Sequence, residues 1–126
     1  MTKNEKLKVL IIDDDQDLLD MYKTKFTGEG FQVFTQTDGL RGVTDAVKIN
    51  PDIVLMDLMM PQMDGFESIQ AFRQNTSLPV KIIVLSNLAQ ESDKEKAISC
   101  GADGFLVKAN HTPLEIVEKV KEFLID

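Results

Sequence analysis

Residues 53–57 read Ile-Val-Leu-Met-Asp, a short apolar run that ends in an acid. A run of this length with β-branched side chains predicts a buried parallel strand, and Pro61 and Gly65 mark the turn that follows it. Asp57 is therefore expected at the C-terminal edge of a sheet, where open α/β sheets bind their ligands.

A second apolar run, residues 9–12, also ends in acids, which are Asp13, Asp14 and Asp15. Asp15 is expected to cap the first helix. Two strand ends that deliver adjacent carboxylates build a negative cluster, which is costly unless a cation or a proton neutralises it. Hard oxygen ligands suit Mg2+ or a similar ion, so the sequence indicates a cation site at this edge.

The composition predicts one soluble domain. Apolar residues make up 43% of the 126-residue chain and charged residues 28%, as in an ordinary globule. The net charge of -7 argues against nucleic acid as a direct partner. The lone Cys100 rules out an internal disulfide, no apolar stretch approaches membrane-spanning length, and the polar N-terminus has no signal-peptide core, so we expect a cytoplasmic protein.

Apolar runs alternate with amphipathic stretches along the chain. Helical spacing of apolar residues predicts five helices, and the last opens with a capping box, Thr112-Pro113-Leu114-Glu115. The alternation predicts one α/β domain over residues 1–126, with a five-stranded parallel sheet and helices on both faces in a flavodoxin-like, doubly wound three-layer sandwich. The predicted strands are 8–12, 32–35, 53–56, 82–85 and 104–107.

Four of these strands end in polar side chains, which a parallel sheet brings to one edge. A lysine there is a point-charge ligand for phosphate, a serine hydroxyl can donate to a phosphoryl oxygen, and a carboxylate can act as the nucleophile that forms an acyl phosphate. Such a set suits phosphoryl transfer, which needs mainly positioning and charge neutralisation. The side chains are Asp13, Asp14, Asp57, Ser86, Asn87 and Lys108.

Four segments, in this order and spacing, resemble the receiver domain of two-component response regulators, of the chemotaxis-regulator superfamily, over nearly the whole chain. They are residues 11–15 (IIDDD), 57–65 (DLMMPQMDG), 84–87 (VLSN) and 101–108 (GADGFLVK). The resemblance implies that Asp57 is the phosphoacceptor. It also implies that Asp13, Asp14, Asp57 and the backbone carbonyl of Met59 bind Mg2+, with Mn2+ as the alternative.

The resemblance implies roles for three more residues. Lys108 would pair with the phosphoryl group, and Ser86 would bond it and draw its own loop inward. Phe105 matches the aromatic residue that changes rotamer with that hydroxyl. The implied protein is a phosphorylation-activated switch that catalyses its own phosphoryl transfer and slow autodephosphorylation, and is not otherwise an enzyme.

The implied phosphoryl donor is a histidine kinase or a histidine phosphotransfer protein. Output would pass from the fourth helix, fifth strand and fifth helix to a protein partner that the sequence does not identify. We expect a stand-alone regulator, a monomer or weak dimer, that contacts neither nucleic acid nor a membrane.

Ala109, Met59 and Leu88 depart from the family pattern, and Phe105 replaces a frequent tyrosine. Ala109 follows Lys108 where receiver domains usually have proline, often after a cis bond; a cis bond before a non-proline residue costs about 2.5–4 kcal/mol, so we expect a different loop geometry here. Met59 and Leu88 are apolar and cannot orient a hydrolytic water, which predicts a long-lived phosphorylated state.

Asp64 is expected in a turn, and Asp103 and His111 are expected to be solvated loop residues.

Three other interpretations of the sequence compete with this one. A phosphatase of the haloacid-dehalogenase type usually has a second Asp two residues after the nucleophile, where this chain has Met59, and a cap domain. A receiver-shaped module without phosphorylation is disfavoured by the intact acids, serine and lysine. A flavin carrier of this fold would need a Ser-, Thr- and Gly-rich phosphate loop after the first strand, where three acids stand instead.

Overall fold

A single parallel sheet in the order β2-β1-β3-β4-β5 runs through the centre of the computed structural model, which describes residues 6–60, 64–75, 79–88 and 90–125. The strands are β1 (Lys8–Ile12), β2 (Gln32–Gln36), β3 (Ile53–Met56), β4 (Lys81–Ser86) and β5 (Gly104–Val107). The helices are α1 (Gln16–Gly28), α2 (Gly39–Ile49), α3 (Gly65–Asn75), α4 (Glu91–Cys100) and α5 (Pro113–Leu124), and a 3-10 turn covers Lys108–Asn110.

The predicted fold class is confirmed, and β1, β3 and β5 have the predicted bounds. β2 extends to Gln36 because that residue still pairs with Ile12 of β1. β4 starts at Lys81 and extends to Ser86, which pairs with Val107 of β5. The backbone ladder thus continues past the apolar residues that the prediction used. The predicted turn residues Pro61, Gln62 and Met63 lie outside the described part of the chain.

Alternating side chains of the strands form two cores, one on each face of the sheet. Leu10 and Ile12 of β1 pack on the face covered by α2, α3 and α4. Val9 and Ile11 pack on the opposite face, against α1 and α5. Strands buried on both faces explain why the apolar runs in the sequence are continuous rather than alternating.

The helix boundaries follow local capping chemistry. Asp15 caps α1 as predicted, because its carboxylate accepts a hydrogen bond from the Leu18 N–H at 3.1 Å. The predicted capping box of α5 is present, with Thr112 and Glu115 each accepting from the other's backbone N–H. Asp64 caps α3 through the Glu67 N–H at 2.8 Å, so it serves a helix start rather than only a turn.

Helical spacing located α2 without determining its buried side. Val43 and Ala46 are buried, whereas Leu40 and Val47 are each 59% exposed. On α5, Ile116 and the two valines are buried as expected, but Phe123 is only partly buried.

Arg73 of α3 links three elements at the edge of the sheet where the strands begin. Its guanidinium donates to the carbonyl oxygens of Gly101 at 3.0 Å and Val80 at 2.8 Å, and to the Asp103 carboxylate at 2.9 Å. Asp103 also accepts from the Ile82 N–H at 2.9 Å. Asp103 is exposed, as expected for a solvated loop residue, but its carboxylate also has these two partners, which the sequence did not predict. Gly101 ends α4 with φ +120°, and a side chain there would collide with Arg73.

Across the described residues, we find no helix whose length and apolar character would let it cross a bilayer.

Candidate functional site

Three carboxylates meet where β1 and β3 end. These strands are neighbours, with Ile12 opposite Met56, so the residues that follow them, Asp13 and Asp57, come side by side. One carboxylate oxygen from each of Asp13, Asp14 and Asp57 lies within 4.8 Å of the others. Asp13 and Asp57 are buried, at 3% and 6% exposure, whereas Asp14 is exposed. The cluster predicted from the sequence is therefore present, with one acid open to solvent.

Lys108, directly after β5, joins this cluster. Its Nζ lies 2.5 Å from Asp13 Oδ2 and 3.1 Å from Asp57 Oδ2, and its side chain is largely buried. The amine thus bridges the two buried acids. The sequence placed a lysine at this edge, but it did not predict that Asp13 would be the nearer partner.

Burial and pairing act against each other on these groups. Burial raises the pKa of Asp13, and the bonds from Lys108 and from the Asp15 N–H only partly offset this; repulsion from Asp57 is a smaller contribution. For Lys108, burial alone would lower the pKa, but the hydrogen bond to Asp13 and the charges of both acids outweigh it and the pKa rises. The ammonium form is therefore strongly favoured.

The backbone around Asp57 is tightly packed. The Met59 N–H donates to Asp57 Oδ1 at 3.2 Å, which orients the carboxylate. Gly65, the first residue of α3, approaches so closely that a Cβ there would lie 2.4 Å from the Asp57 carbonyl oxygen. Only glycine fits this contact. The Met59 side chain is 59% exposed, and a metal-ligand role for its carbonyl stays a prediction.

Ser86, the last residue of β4, is fully buried. Its Oγ accepts a hydrogen bond from the Leu88 N–H at 3.2 Å, within its own loop. Phe105 is opposite Val84 in the sheet and packs, partly buried, against the α2–α4 core, as does Leu88. The structure thus places Ser86 and Phe105 on neighbouring strands, as a coupled pair requires.

Asn87 makes a contact that the sequence did not predict. Its Oδ1 accepts a hydrogen bond from the Ala109 N–H at 2.8 Å, which ties the loop after β4 to the loop after Lys108. The described residues contain no cis peptide bond, so the Lys108–Ala109 bond is trans. The signal was available in the sequence, since an alanine after the lysine retains the N–H that a proline would lack.

The donor set fits a hard divalent cation. Three carboxylates supply oxygen ligands from within 4.8 Å of one another, and the exposed Asp14 leaves one side accessible. Lys108 already neutralises part of the charge, so a cation would compete with the amine for Asp13.

A cleft of about 400 Å³ opens beside Lys108, between α1 and the start of α5. Its lining includes Tyr22 of α1, Asn87, Ala109 and His111. Lys108 is also among the residues that line this cleft. His111, expected as a solvated loop residue, is partly exposed on this cleft.

The chain matches the family described as response regulator receiver domain over residues 9–121, and it belongs to that family. Among relatives, it is 40% identical over 100 residues to the KDP operon transcriptional regulatory protein KdpE of Escherichia coli. The match covers 79% of this chain and 44% of that protein. It is 34% identical over 102 residues to the DNA-binding dual master transcriptional regulator RpaA of Synechocystis, covering 80% of this chain and 42% of that protein. The chain thus spans less than half the length of these two relatives.

Solved structures agree. The chemotaxis protein CheY4 of Vibrio cholerae superposes with a TM-score of 0.87 at 28% identity, over 94% of this chain and 98% of that one. A chain in the crystal structure of the CheX-CheY-BeF3-Mg2+ complex of Borrelia burgdorferi matches with a TM-score of 0.86, also at 28% identity, over 95% of this chain and 90% of that one. The resemblance that the four motifs indicated is confirmed.

Proposed function

We propose that this chain is a phosphorylation-activated signalling switch in which the Asp57 carboxylate accepts a phosphoryl group. The observation that carries the proposal is the Lys108 amine, which lies 3.1 Å from Asp57 in a cluster of three acids. An amine and a nucleophilic carboxylate in contact, with a hard-cation site beside them, supply what phosphoryl transfer needs.

In the proposed reaction, an Asp57 carboxylate oxygen attacks the phosphorus of a phosphohistidine. The phosphorus–nitrogen bond breaks, the leaving imidazole keeps its electron pair, and an acyl phosphate forms on Asp57. Lys108 pairs with a phosphoryl oxygen in place of a carboxylate, and Ser86 donates a hydrogen bond to another. The Met59 N–H bond keeps Asp57 oriented for attack.

Asp13, Asp14, Asp57 and the Met59 carbonyl would hold Mg2+, with Mn2+ as the alternative. The ion would neutralise charge shared between the carboxylates and the phosphoryl oxygens. Lys108 would then be released from Asp13, its nearer partner in the structure at 2.5 Å. The same site would catalyse its own slow dephosphorylation.

The output follows from Ser86. Its hydroxyl oxygen accepts a hydrogen bond from the Leu88 N–H, and the hydroxyl hydrogen can still donate to a phosphoryl oxygen, so a shift of Ser86 toward that oxygen would carry the Ser86–Leu88 loop with it. Phe105, on the neighbouring strand, would follow and change the surface formed by α4, β5 and α5. A protein partner would read that surface.

We propose a histidine kinase or a histidine phosphotransfer protein as the donor. Residues 1–126 would form one receiver domain, acting in the cytoplasm as a monomer or weak dimer. The expectation that no nucleic acid is involved has no support, because KdpE and RpaA are named as transcriptional regulators and this chain spans less than half of each.

Intact-mass spectrometry after incubation with acetyl phosphate and Mg2+ tests the proposal. One phosphoryl group should add to the wild type, require the divalent ion, and be absent from Asp57→Asn. Asp20→Asn, which changes an exposed acid on α1, is the matched control and should label normally. Undiminished labelling of Asp57→Asn would refute the assignment.

A further inference from the structure

The loop that carries Ser86 and the loop that carries Lys108 are joined by one side chain. Asn87 comes directly after Ser86, and Ala109 directly after Lys108; the two are linked by the 2.8 Å bond from the Ala109 N–H to Asn87 Oδ1. In the proposed function, Ser86 and Lys108 bind two oxygens of the same phosphoryl group. The hydrogen bond therefore connects the two loops whose side chains, Ser86 and Lys108, must act together.

From this we infer that Asn87 is a positioning residue, which holds the Lys108 loop at a fixed distance from the Ser86 loop so that both side chains reach one phosphoryl group. The inference rests on the proposed function. Asn87 would act on Lys108 through the backbone of residue 109. Both Asn87 and Ala109 are exposed, and this hydrogen bond is the contact described between them.

The identity of residue 109 makes this device available. A proline has no N–H and could not donate to Asn87. Alanine can, and its trans bond to Lys108 lies within the 3-10 turn Lys108–Asn110. Asn87 and Ala109 also line the cleft beside Lys108, so a loosened bond would disturb the path by which a donor approaches.

Two one-sided deletions of the bond test the inference. Asn87→Ala removes the acceptor. Replacement of Ala109 by lactic acid, which turns the amide into an ester, removes the donor without a change of side chain. Asn110→Ala, an exposed neighbour, is the matched control. Each protein is titrated with beryllofluoride and Mg2+, and binding is followed by amide NMR.

Both deletions should weaken beryllofluoride binding about fivefold, which is the size expected for one hydrogen bond, and the control should bind like the wild type. The double variant should be no weaker than either single one, because the second change removes nothing further. In a Lys108→Ala background, Asn87→Ala should have less than a twofold effect. A merely structural role would persist in that background.

Hydrogen exchange reports the bond itself. The Ala109 amide should exchange at least about fivefold faster in Asn87→Ala than in the wild type, in proportion to the loss of one hydrogen bond. Equal or tighter beryllofluoride binding by Asn87→Ala and the ester variant would overturn the inference, as would additive losses in the double variant. Failure of the wild type to bind beryllofluoride would instead contradict the proposed function.

Discussion

Lys108 lies closer to Asp13 than to Asp57, with Nζ–Oδ2 distances of 2.5 and 3.1 Å. One amine therefore serves two buried acids, and its shorter contact is with the acid that is not the proposed phosphoacceptor. Three carboxylates lie beside one amine, so the cluster keeps an excess of negative charge. The stability of the metal-free domain should depend on this imbalance.

Removal of the Asp13 charge should stabilise the metal-free domain. Asp13→Asn relieves the burial of a carboxylate and leaves Lys108 paired with Asp57, so no buried charge is orphaned. We expect a gain of about 1 kcal/mol, or roughly 3–5 °C in the thermal midpoint, measured by calorimetry in EDTA. Mg2+ should then stabilise the variant less than the wild type. A lower midpoint for Asp13→Asn than for the control Asp20→Asn would contradict this.

The pH dependence has a definite sign. The pKa of Asp13 is raised in the folded chain above its ordinary value of 3.8, so the folded state holds the proton more tightly than the unfolded state. The stability from this group is full below pH 3.8 and lost as pH rises through the folded pKa. Lys108 also has a raised pKa, so its contribution persists to its ordinary 10.5 and falls above that. Urea unfolding across pH should show a smaller decline above pH 3.8 in Asp13→Asn.

Removal of the amine should have the opposite effect. Lys108→Met leaves two buried carboxylates without their shared cation, and we expect a loss of about 3 kcal/mol in the free energy of unfolding in EDTA. Adding Asp57→Asn should recover part of that loss because it removes one of the repelling charges. Lys119→Met, on an exposed part of α5, is the control. Equal stabilities of the Lys108 and Lys119 variants in urea would show that the bridge contributes nothing.

Removal of the Ser86 hydroxyl should impair the conformational response of α5 more than the phosphorylation of Asp57. In Ser86→Ala the cluster of acids and Lys108 stays intact, so acetyl phosphate should still label Asp57, though about tenfold more slowly if the hydroxyl contributes one charge-assisted bond. Beryllofluoride should shift the amide signals of α5 much less than in the wild type. Ser99→Ala, an exposed serine of α4, should behave normally. Full α5 shifts in Ser86→Ala would exclude the proposed coupling.

The lifetime of the phosphorylated state should depend on Met59. Its side chain is 59% exposed beside Asp57, whereas Leu88 packs partly against the core. Met59→Asn with Leu88→Glu should speed phosphate release about tenfold, which needs only about 1.4 kcal/mol of barrier, and Met59→Asn alone should give most of the gain. The exposed Leu40→Asn is the control. An unchanged release rate would mean that another feature, such as the loop at Ala109, sets the lifetime.

The sequence predicted the fold well because both determinants are local. Continuous apolar runs located the strands, and caps such as Asp15 and Thr112 located the helix starts. The meeting of Asp13 and Asp57 also followed, since parallel strands share an edge.

What the sequence could not supply were contacts between segments distant in the chain. The pairing of Asp103 with Arg73 spans 30 residues, and that of Lys108 with Asp13 spans 95. Both depend on how the helices and loops settle on the sheet. Leu40 and Val47 share the helical spacing of Val43, but their exposure depends on which side of α2 meets the strands.

Arg73 anchors the C-terminal end of α4. Its bonds to Gly101 and Asp103 hold the helix C-terminus, whereas the helix N-terminus follows directly from the loop that Ser86 begins. A displacement of that loop should therefore rotate α4 about its C-terminal end, so that its first turn moves farthest. That turn carries Glu91 and Asp93. A partner that binds α4 would therefore respond to the changed position of negative charge more than to newly exposed apolar surface.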